Sequence, residues 1–562
     1  MTDNRKVLVI GLDGATPELL MKLIIEGKLP HLSKIMNNGV YGTLKSVMPP
    51  FSSPAWLSFM TGKNPGKLGI FSFQDRKPGT YEIRVANFQS INSKSIWEIL
   101  SEHGKKVGVL AVPTTFPPRK VNGFLVSGWP IPQGRTFTYP NDLQSKLYEL
   151  TGVYETDRIW KTTWRFASED KFLKGLYVFT EKEVKTTKYL MNKYDWNFFV
   201  TVFEGIDAIQ HFFWKYMDRQ HPLHSPKGAE KYGNEIIKFY QKIDEIINEL
   251  LNSVDDSTTV VIMSDHGAGA LHYYFNINQW LIEKGLLKIK GKGSSPLTWL
   301  PRLVSNQKKI VNLFTRLGLM RVYYPIADRI TLLGKLMKNI LTYPPLMNAD
   351  WSNTKAYGLG VGNFGQIYIN LKGREPEGSI ESGKEYEELR NYLIEELRNL
   401  TDPKTNRQMV VEVFKKEEIY SGEYVDQAPD VTFFIDELRV GIDHTLGHDA
   451  IFTYDLSNRH DNAGHRMNGI LLMRGKNIKK GLRVEGANLI DLAPTILYTM
   501  NVPVPFDMDG KVLINAFTSS YIKSNPIKYQ KVTIKPRPSK YEWSKEDEEK
   551  IKERLKMLGY LG

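Results

Sequence analysis

The chain has 562 residues, 41% hydrophobic and 24% charged, the composition of a globular protein too long for one simple core. It contains no cysteine. Disulfides, thiolate metal sites and cysteine nucleophiles are therefore excluded, and any metal must be held by histidine, carboxylate or hydroxyl oxygen. The formal net charge of +13 fits an anionic substrate, a nucleic acid or an anionic membrane surface without choosing among them.

From the N-terminus, Lys6 to Asp13 reads as a fully buried parallel strand ending in an acid and Gly14. Open α/β sheets bind ligands at such carboxyl ends. Asp13 reads equally as a cap for the helix predicted over Pro17–Ile25. The apolar run Val7–Leu12 is short and meets Asp13 at once, so no signal peptide is expected. No run of 18 apolar residues occurs, so no membrane span is expected. A cytoplasmic location is the expectation that follows.

The stretch from Met48 to Gly66 places Ser52 and Ser53 between Pro50 and Pro54, followed by the apolar run Ala55–Met60 and Thr61-Gly62. It reads as a buried helix with Ser52 or Ser53 at its N-cap. Free N–H groups at such an end favour an anion such as phosphate, although most such serines are only caps.

Next come a helix at Ser95–Glu102, strands at Lys106–Val112 and Leu125–Gly128, a surface loop at Pro130–Pro140, and helices at 141–150 and 168–193. Trp196–Phe203 is a second buried strand. Asp207 and His211 follow it, four apart, and share one face if a helix begins there. A helix over 229–252 leads to a third buried strand, Thr258–Met263, which ends in Asp265-His266-Gly267. Buried polar groups at a strand end need partners, and a metal or a catalytic network supplies them.

Residues 272–350 break this rhythm. A short helix, Asn276–Gly285, precedes a helical pattern over Leu297–Leu346 that carries eight Lys and Arg against one acid, Asp328. It reads as a basic cap inserted over the site, able to steer anions or touch anionic lipid, or as a plain solvated face. Strands are expected over 357–371, 409–414 and 430–435, and a helix over 385–400. His444, His448, His460 and His465 then crowd together, and a buried strand, Gly469–Gly475, follows at once. A helix over Asn488–Tyr498, a basic tail and a closing helix over Ser544–Leu558 complete the chain. The expected division is a discontinuous core of 1–271 and 351–520, a cap of 272–350, and a tail with a helix at 521–562.

Four buried strands thus deliver Asp13, Asp207 with His211, Asp265 with His266, and His465 to what should be one sheet edge, and the Ser52 turn joins them. Three carboxylates, three imidazoles and a hydroxyl suit two divalent ions sharing work at a phosphoryl centre. Metal coordination can also activate a serine hydroxyl that is a poor nucleophile at neutral pH.

In order and wording these motifs resemble the alkaline phosphatase superfamily, and within it the type I phosphodiesterase/nucleotide pyrophosphatase family. The carrying residues are Asp13-Gly14, Ser52-Ser53-Pro54 with Thr61-Gly62 and Asn64-Pro65, Asp207-x-x-x-His211, Ser264 to Gly267, His465, Pro494 to Leu497 and Asp507 to Gly510. The resemblance implies a three-layer α/β/α core around a mostly parallel sheet, with a helical cap insertion. It implies one metal on Asp207, His211 and His465, and another on Asp13, Asp265 and His266 with Ser52 as ligand and nucleophile. Zinc is the family's usual metal, and manganese suits the same donors. The implied chemistry is attack by Ser52 on phosphorus, then hydrolysis of the covalent intermediate. The substrate would be a small phosphorylated molecule, a nucleotide or other phosphodiester.

Departures bear on the substrate. The family's usual nucleophile is Thr, its Asn-His after the proline is Ala55-Trp56 here, and its phosphate-binding asparagine falls at Phe73, beside Gln74. Lys63, Lys67 or Gln74 are the substitutes considered. A phosphomonoesterase or sugar-phosphate mutase of the same superfamily is the alternative reading, and an inactive scaffold is another. A sulfatase fits poorly, because Trp56 stands where its arginine belongs. Stable nucleic-acid binding is not expected, since only net charge speaks for it.

Overall fold

The buried strand patterns converge on one mixed sheet of ten strands. The computed structural model describes residues 5–132, 134–152, 168–290, 346, 349–457, 461–532 and 543–557. In chain order the sheet contains β1 (Val7–Leu12), β2 (Val40–Lys45), β3 (Val107–Leu110), β4 (Gly123–Val126), β5 (Thr138–Tyr139), β6 (Phe198–Phe203), β7 (Thr259–Met263), β8 (Asn468–Arg474), β9 (Leu482–Arg483) and β10 (Ala487–Asn488). Their spatial order is β9-β2-β8-β7-β1-β6-β3-β4-β5, and β10 also pairs with β2. The run β7-β1-β6-β3-β4 is parallel throughout, while β8 lies antiparallel to both β7 and β2.

Every residue of β1, β6 and β7 is buried. Because successive side chains alternate faces, these strands feed two separate apolar clusters. Leu8, Ile10, Leu12, Val260 and Ile262 pack with the helices Pro17–Ile25, Glu169–Lys193, Gly205–Met217 and Glu235–Leu251. Val7, Val9, Val261 and Met263 pack with the helices Ser52–Thr61, Ile96–Glu102 and Leu492–Thr499. The result is three layers, α/β/α. Each buried Val, Leu or Ile contributes about 1.5–3 kcal/mol, so these continuous runs hold the sheet centre rigid under the polar edge described below.

A second lobe has its own apolar core, which includes Phe275, Ile277, Trp280, Tyr357, Leu393 and Phe433. Its antiparallel sheet takes the order Ala356–Val361, Phe364–Ile369, Val431–Ile435, Val411–Lys415, with the helix Lys384–Arg398 alongside. Tyr273–Asn276, Val440–Asp443 and Phe452–Thr453 form a smaller sheet packed into the same core. The described residues after 272 therefore pack with 349–454. The basic helices expected over 297–346 lie outside the described residues apart from Leu346, as do His460 and the last residue of the closing helix.

Several boundaries differ from the sequence reading. The helix expected over 229–252 is two, Pro226–Tyr232 and Glu235–Leu251, separated at Gly233-Asn234. The proline-rich stretch 130–140 is anchored by buried Ile131 and Phe137 rather than lying wholly on the surface. The closing helix is Lys545–Met557, and Trp543 ahead of it stacks on Phe116. Among the described residues no helix is long and apolar enough to cross a membrane.

Candidate active site

β1, β6 and β7 run the same way, so Asp13, Asp207, Asp265 and His266 emerge at one edge. β8 runs oppositely, with Asn468 opposite Lys45 of β2. Its start, just after His465, and the end of β2, which leads to Ser52, therefore fall at that same edge.

Gly14 allows the close approach there. Its φ is 71°, and a Cβ would lie 3.1 Å from the side chain of Asp207. The helix Gly205–Met217 carries Asp207 and His211 on one face, and His211 Nε2 lies 3.2 Å from Asp207 Oδ1. His465 sits in a short strand, Ala463–Arg466, paired antiparallel with Gly267–Ala270, and this ribbon stacks its ring on His266 at 3.6 Å. Sequence reasoning missed the ribbon, since Gly-Ala-Gly-Ala has none of the bulky residues that mark strands.

The ligand atoms of Asp207, His211 and His465 lie within 4.8 Å of one another, as do those of Asp13, Asp207 and His266. Asp265 joins them with Oδ2 3.4 Å from His266 Nε2, and its Oδ1 accepts from Gly14 N at 3.3 Å. Asp207 thus stands between two groups, a sharing that the sequence did not reveal. Ser52 Oγ lies 3.4 Å from His266 Nε2, which in turn lies 3.4 Å from Asp13 Oδ1.

The expected N-cap role for Ser52 or Ser53 is corrected. Phe51 is the N-cap, and the helix runs Ser52–Thr61 with no side-chain cap bond. The Ser52 hydroxyl faces His266 instead of turning back to its own helix. Likewise Thr16, not Asp13, precedes the Pro17–Ile25 helix as its cap residue.

The donor set fits divalent cations. His465 Nδ1 lies 2.8 Å from the Pro50 carbonyl, and His266 Nδ1 3.0 Å from the Gly267 carbonyl. A carbonyl only accepts, so each Nδ1 donates and Nε2 of each ring is the nitrogen left to face the cluster. His465 Nε2 is 3.2 Å from His211 Nε2 and 3.7 Å from Asp207 Oδ1. Asp265 Oδ2 is buried and takes part in no hydrogen bond among the described residues. A buried carboxylate oxygen without a hydrogen-bond donor, beside imidazole nitrogens directed into the same space, is a group that a cation would satisfy.

The charges follow the same logic. Burial pushes the Asp265 carboxyl well above the usual carboxylate range, and Asp13 and Asp207 push it the same way. Burial opposes ionisation of Asp207 too, but His211, then His465 and His266, hold its carboxyl well below that range. Burial, reinforced by His266, depresses the His465 imidazole.

Trp56, met in the sequence only as a departure from the family pattern, has a contact at the site that the sequence did not reveal. Its indole Nε1 donates to Asp13 Oδ2 at 3.3 Å, and a Cβ on Gly11 would lie 2.5 Å from its Cη2. The helix that carries Ser52 thereby also orients Asp13.

The structure does not bring Lys63 and Lys67 to this cluster. Both follow the far end of the ten-residue Ser52–Thr61 helix, a span of about 15 Å. Lys63 pairs with Asp507 there, and Lys67 with Asp509 at 2.6 Å. Asn64 Nδ2 also donates to Asp509, at 2.8 Å. Gln74 is buried in the strand Gln74–Arg76, opposite Val85.

Fold and cluster together define a hydrolase core that carries candidate metal-ligand groups at the carboxyl edge of its sheet. The chain belongs to the type I phosphodiesterase/nucleotide pyrophosphatase family, whose model matches residues 7–466. It is accordingly a phosphoric ester hydrolase, built on the three-layer α/β core described above. A search of curated proteins found no match.

Solved structures resemble it at low identity. Murine ectonucleotide pyrophosphatase/phosphodiesterase 5, an inactive variant in complex with AMP, is 15% identical over 89% of this chain and 95% of that one, with a TM-score of 0.45. The human counterpart is 14% identical over 93% and 99%, with a TM-score of 0.46. Phosphonoacetate hydrolase from Sinorhizobium meliloti 1021, in complex with phosphonoformate, is 14% identical over 89% and 96%, with a TM-score of 0.49.

Proposed function

We propose that this chain hydrolyses a small phosphodiester or pyrophosphate, with Ser52 as nucleophile and two divalent ions in the cluster. Asp207, His211 and His465 would hold one ion. Asp13, Asp265 and His266 would hold the other, with Asp207 close to both. The nitrogen and oxygen donors suit zinc, and manganese second. The observation that carries this reading is the buried Ser52, 5% exposed, whose Oγ lies 3.4 Å from His266 Nε2 beside the carboxylates of Asp13 and Asp265.

Bound there, divalent ions supply Lewis acidity, lowering the pKa of a hydroxyl or water and offsetting phosphoryl charge. The chain's own residues do the rest. Ser52 occupies the first turn of a buried helix, whose leading N–H groups have no intrahelical acceptor. Those groups are available to a phosphoryl oxygen, and the helix dipole favours the negative charge. Oγ forms a bond to phosphorus, the ester bond opposite breaks, and the alcohol or nucleotide product leaves with a proton. Water then attacks phosphorus, the bond to Oγ breaks, and Ser52 regains its proton. Trp56 fixes Asp13 and the Pro50 carbonyl fixes the His465 ring, so the donors keep their orientation through both steps. In this reading the basic segment 297–346 steers anionic substrates toward the edge.

A panel of bis(p-nitrophenyl) phosphate and p-nitrophenyl phosphate tests the proposal, run on chelator-treated protein before and after zinc or manganese is restored. The expected result is diester hydrolysis that falls at least ~100-fold on chelation and returns with metal. Undiminished activity after chelation, or turnover of neither ester, would contradict it.

A further inference from the structure

The second lobe reaches the metal-ligand cluster at one turn. Strands Ala356–Val361 and Phe364–Ile369 are joined by Gly362 and Asn363. A hairpin tip usually meets solvent, but Asn363 is fully buried. Phe364 packs edge-on against Phe51 with ring centroids 5.7 Å apart, and Phe51 in turn packs against His465 at 5.9 Å. The tip therefore touches the residue that precedes Ser52.

Its polar contacts are more specific. Asn363 Nδ2 donates to the His465 carbonyl at 2.8 Å and to the Leu438 carbonyl at 2.7 Å. Arg466 Nη1 donates to the same two carbonyls, at 3.1 Å and 2.8 Å. Two side chains, one from each lobe, thus clamp the backbone of His465 to that of Leu438. Leu438 is the last of three consecutive non-glycine residues in the left-handed region, with φ of 47° at Asp436, 53° at Glu437 and 70° at Leu438. Such a conformation persists only where its surroundings over-determine it. Here the strained turn presents one carbonyl to both donors.

The other side of His465 carries the chemistry. Its Nδ1 donates to the Pro50 carbonyl, and its Nε2 faces His211 and Asp207. A shift of the His465 backbone would move Nε2 relative to both.

The geometry points to Asn363 as a positioning residue: the lobe turn clamps the His465 backbone and so sets the affinity of the Asp207–His211–His465 group for its metal ion. This rests on the metal-centre reading above. Asn363 acts through His465 and touches neither a metal-ligand atom of the cluster nor Ser52 among the described contacts. It follows that anything displacing the lobe from the core is felt first at this half of the cluster.

Zinc titration of the full-length, chelator-treated protein tests this by competition with a chromogenic chelator, alongside thermal melts of the metal-free forms. The proteins compared are the parent, Asn363→Ala, Asn363→Ser and His211→Ala. The parent should bind two equivalents. Asn363→Ala should weaken one of them about 10–100-fold, as losses behind a ligating histidine do, and leave the other within about threefold. Asn363→Ser keeps a donor and should fall between, and it decides the matter if the alanine variant does not fold. His211→Ala, which removes a ligand of that group alone, marks the affected equivalent. A purely structural role would lower the melting temperature and leave zinc affinity within twofold of the parent in both Asn363 variants; that result overturns the positioning role alone. If the parent binds no zinc and no manganese, the metal-centre reading falls and this proposal with it.

Discussion

Replacing Trp56 with Phe removes one hydrogen bond from the buried edge and keeps most of the packing. Trp56 is fully buried, and its indole N–H is one donor that the structure aims at Asp13 Oδ2, at 3.3 Å. A hydrogen bond to a charged group contributes about 1.5–3 kcal/mol. If that energy holds Asp13 in its ligating orientation, its loss corresponds to about a 10–150-fold fall in zinc affinity and in kcat/KM toward bis(p-nitrophenyl) phosphate. Packing loss is the confounder, and Phe59→Leu controls for it. Phe59 packs edge-on against Trp56 with centroids 5.6 Å apart, and none of its described contacts is with Asp13. Phe59→Leu should cost about 1–3 kcal/mol of stability, by the trend for large-to-small core changes, with zinc affinity and hydrolysis within threefold of the parent. The reasoning fails if Trp56→Phe stays within twofold of the parent in both measurements, or if the two variants behave alike.

Three other outcomes follow from the same contacts. Asp207→Asn should weaken both zinc equivalents, the first by more than the ~100-fold seen for supporting residues, because Asp207 belongs to both ligand groups; calorimetric zinc titration shows whether only one is affected. Lys67→Ala should cost about 0–1 kcal/mol, as partly exposed ion pairs do, and Lys63→Ala more, because Lys63 is buried and its removal leaves Asp507 without that partner; both should change kcat/KM less than threefold, and a larger kinetic loss in steady-state assays would restore them as phosphate ligands. Asp75 carries a pH signature away from the cluster: burial raises its carboxyl from 3.8 to about 7, against the pull of Arg84 and the Phe71 N–H. Its contribution to stability is fully present below the unfolded value and is lost as pH rises through about 7, since the folded state binds the extra proton in that window. Asp75→Asn should flatten that decline, which amounts to at most about 4 kcal/mol, and denaturant melts from pH 4 to 8 would show an unchanged slope if Asp75 is not its source.

The central sheet was legible because β1, β6 and β7 are buried on both faces and read as unbroken apolar runs, each stopped by a polar residue at the carboxyl end. The shared edge that gathers Asp13, Asp207, His211, Asp265, His266 and His465, with the Ser52 turn beside it, follows from that pattern, while the three-layer arrangement came from the family resemblance. What stayed hidden depends on contacts distant in sequence or on chemically plain residues. The ribbon that stacks His465 on His266 is built from glycine and alanine. The pairing of Lys63 with Asp507 spans more than four hundred positions, and nothing local to Lys63 distinguishes a lysine committed to an ion pair from one awaiting phosphate. Ser52 looked like a cap because serine before an apolar run commonly is one; its hydroxyl is turned away by a histidine two hundred and fourteen positions on. Trp56 and Asn363 act through partners on other elements, so local pattern carried no sign of either.

The central claim is that Ser52 attacks phosphorus at an intact two-ion centre, and the most direct measurement pairs activity with metal content in Ser52→Ala. With zinc present, the variant should still bind two equivalents while diester hydrolysis falls at least ~10³-fold, because the nucleophile is gone and its surroundings remain. A Ser52→Ala protein that binds two zinc ions and keeps hydrolysis within tenfold of the parent would contradict the account.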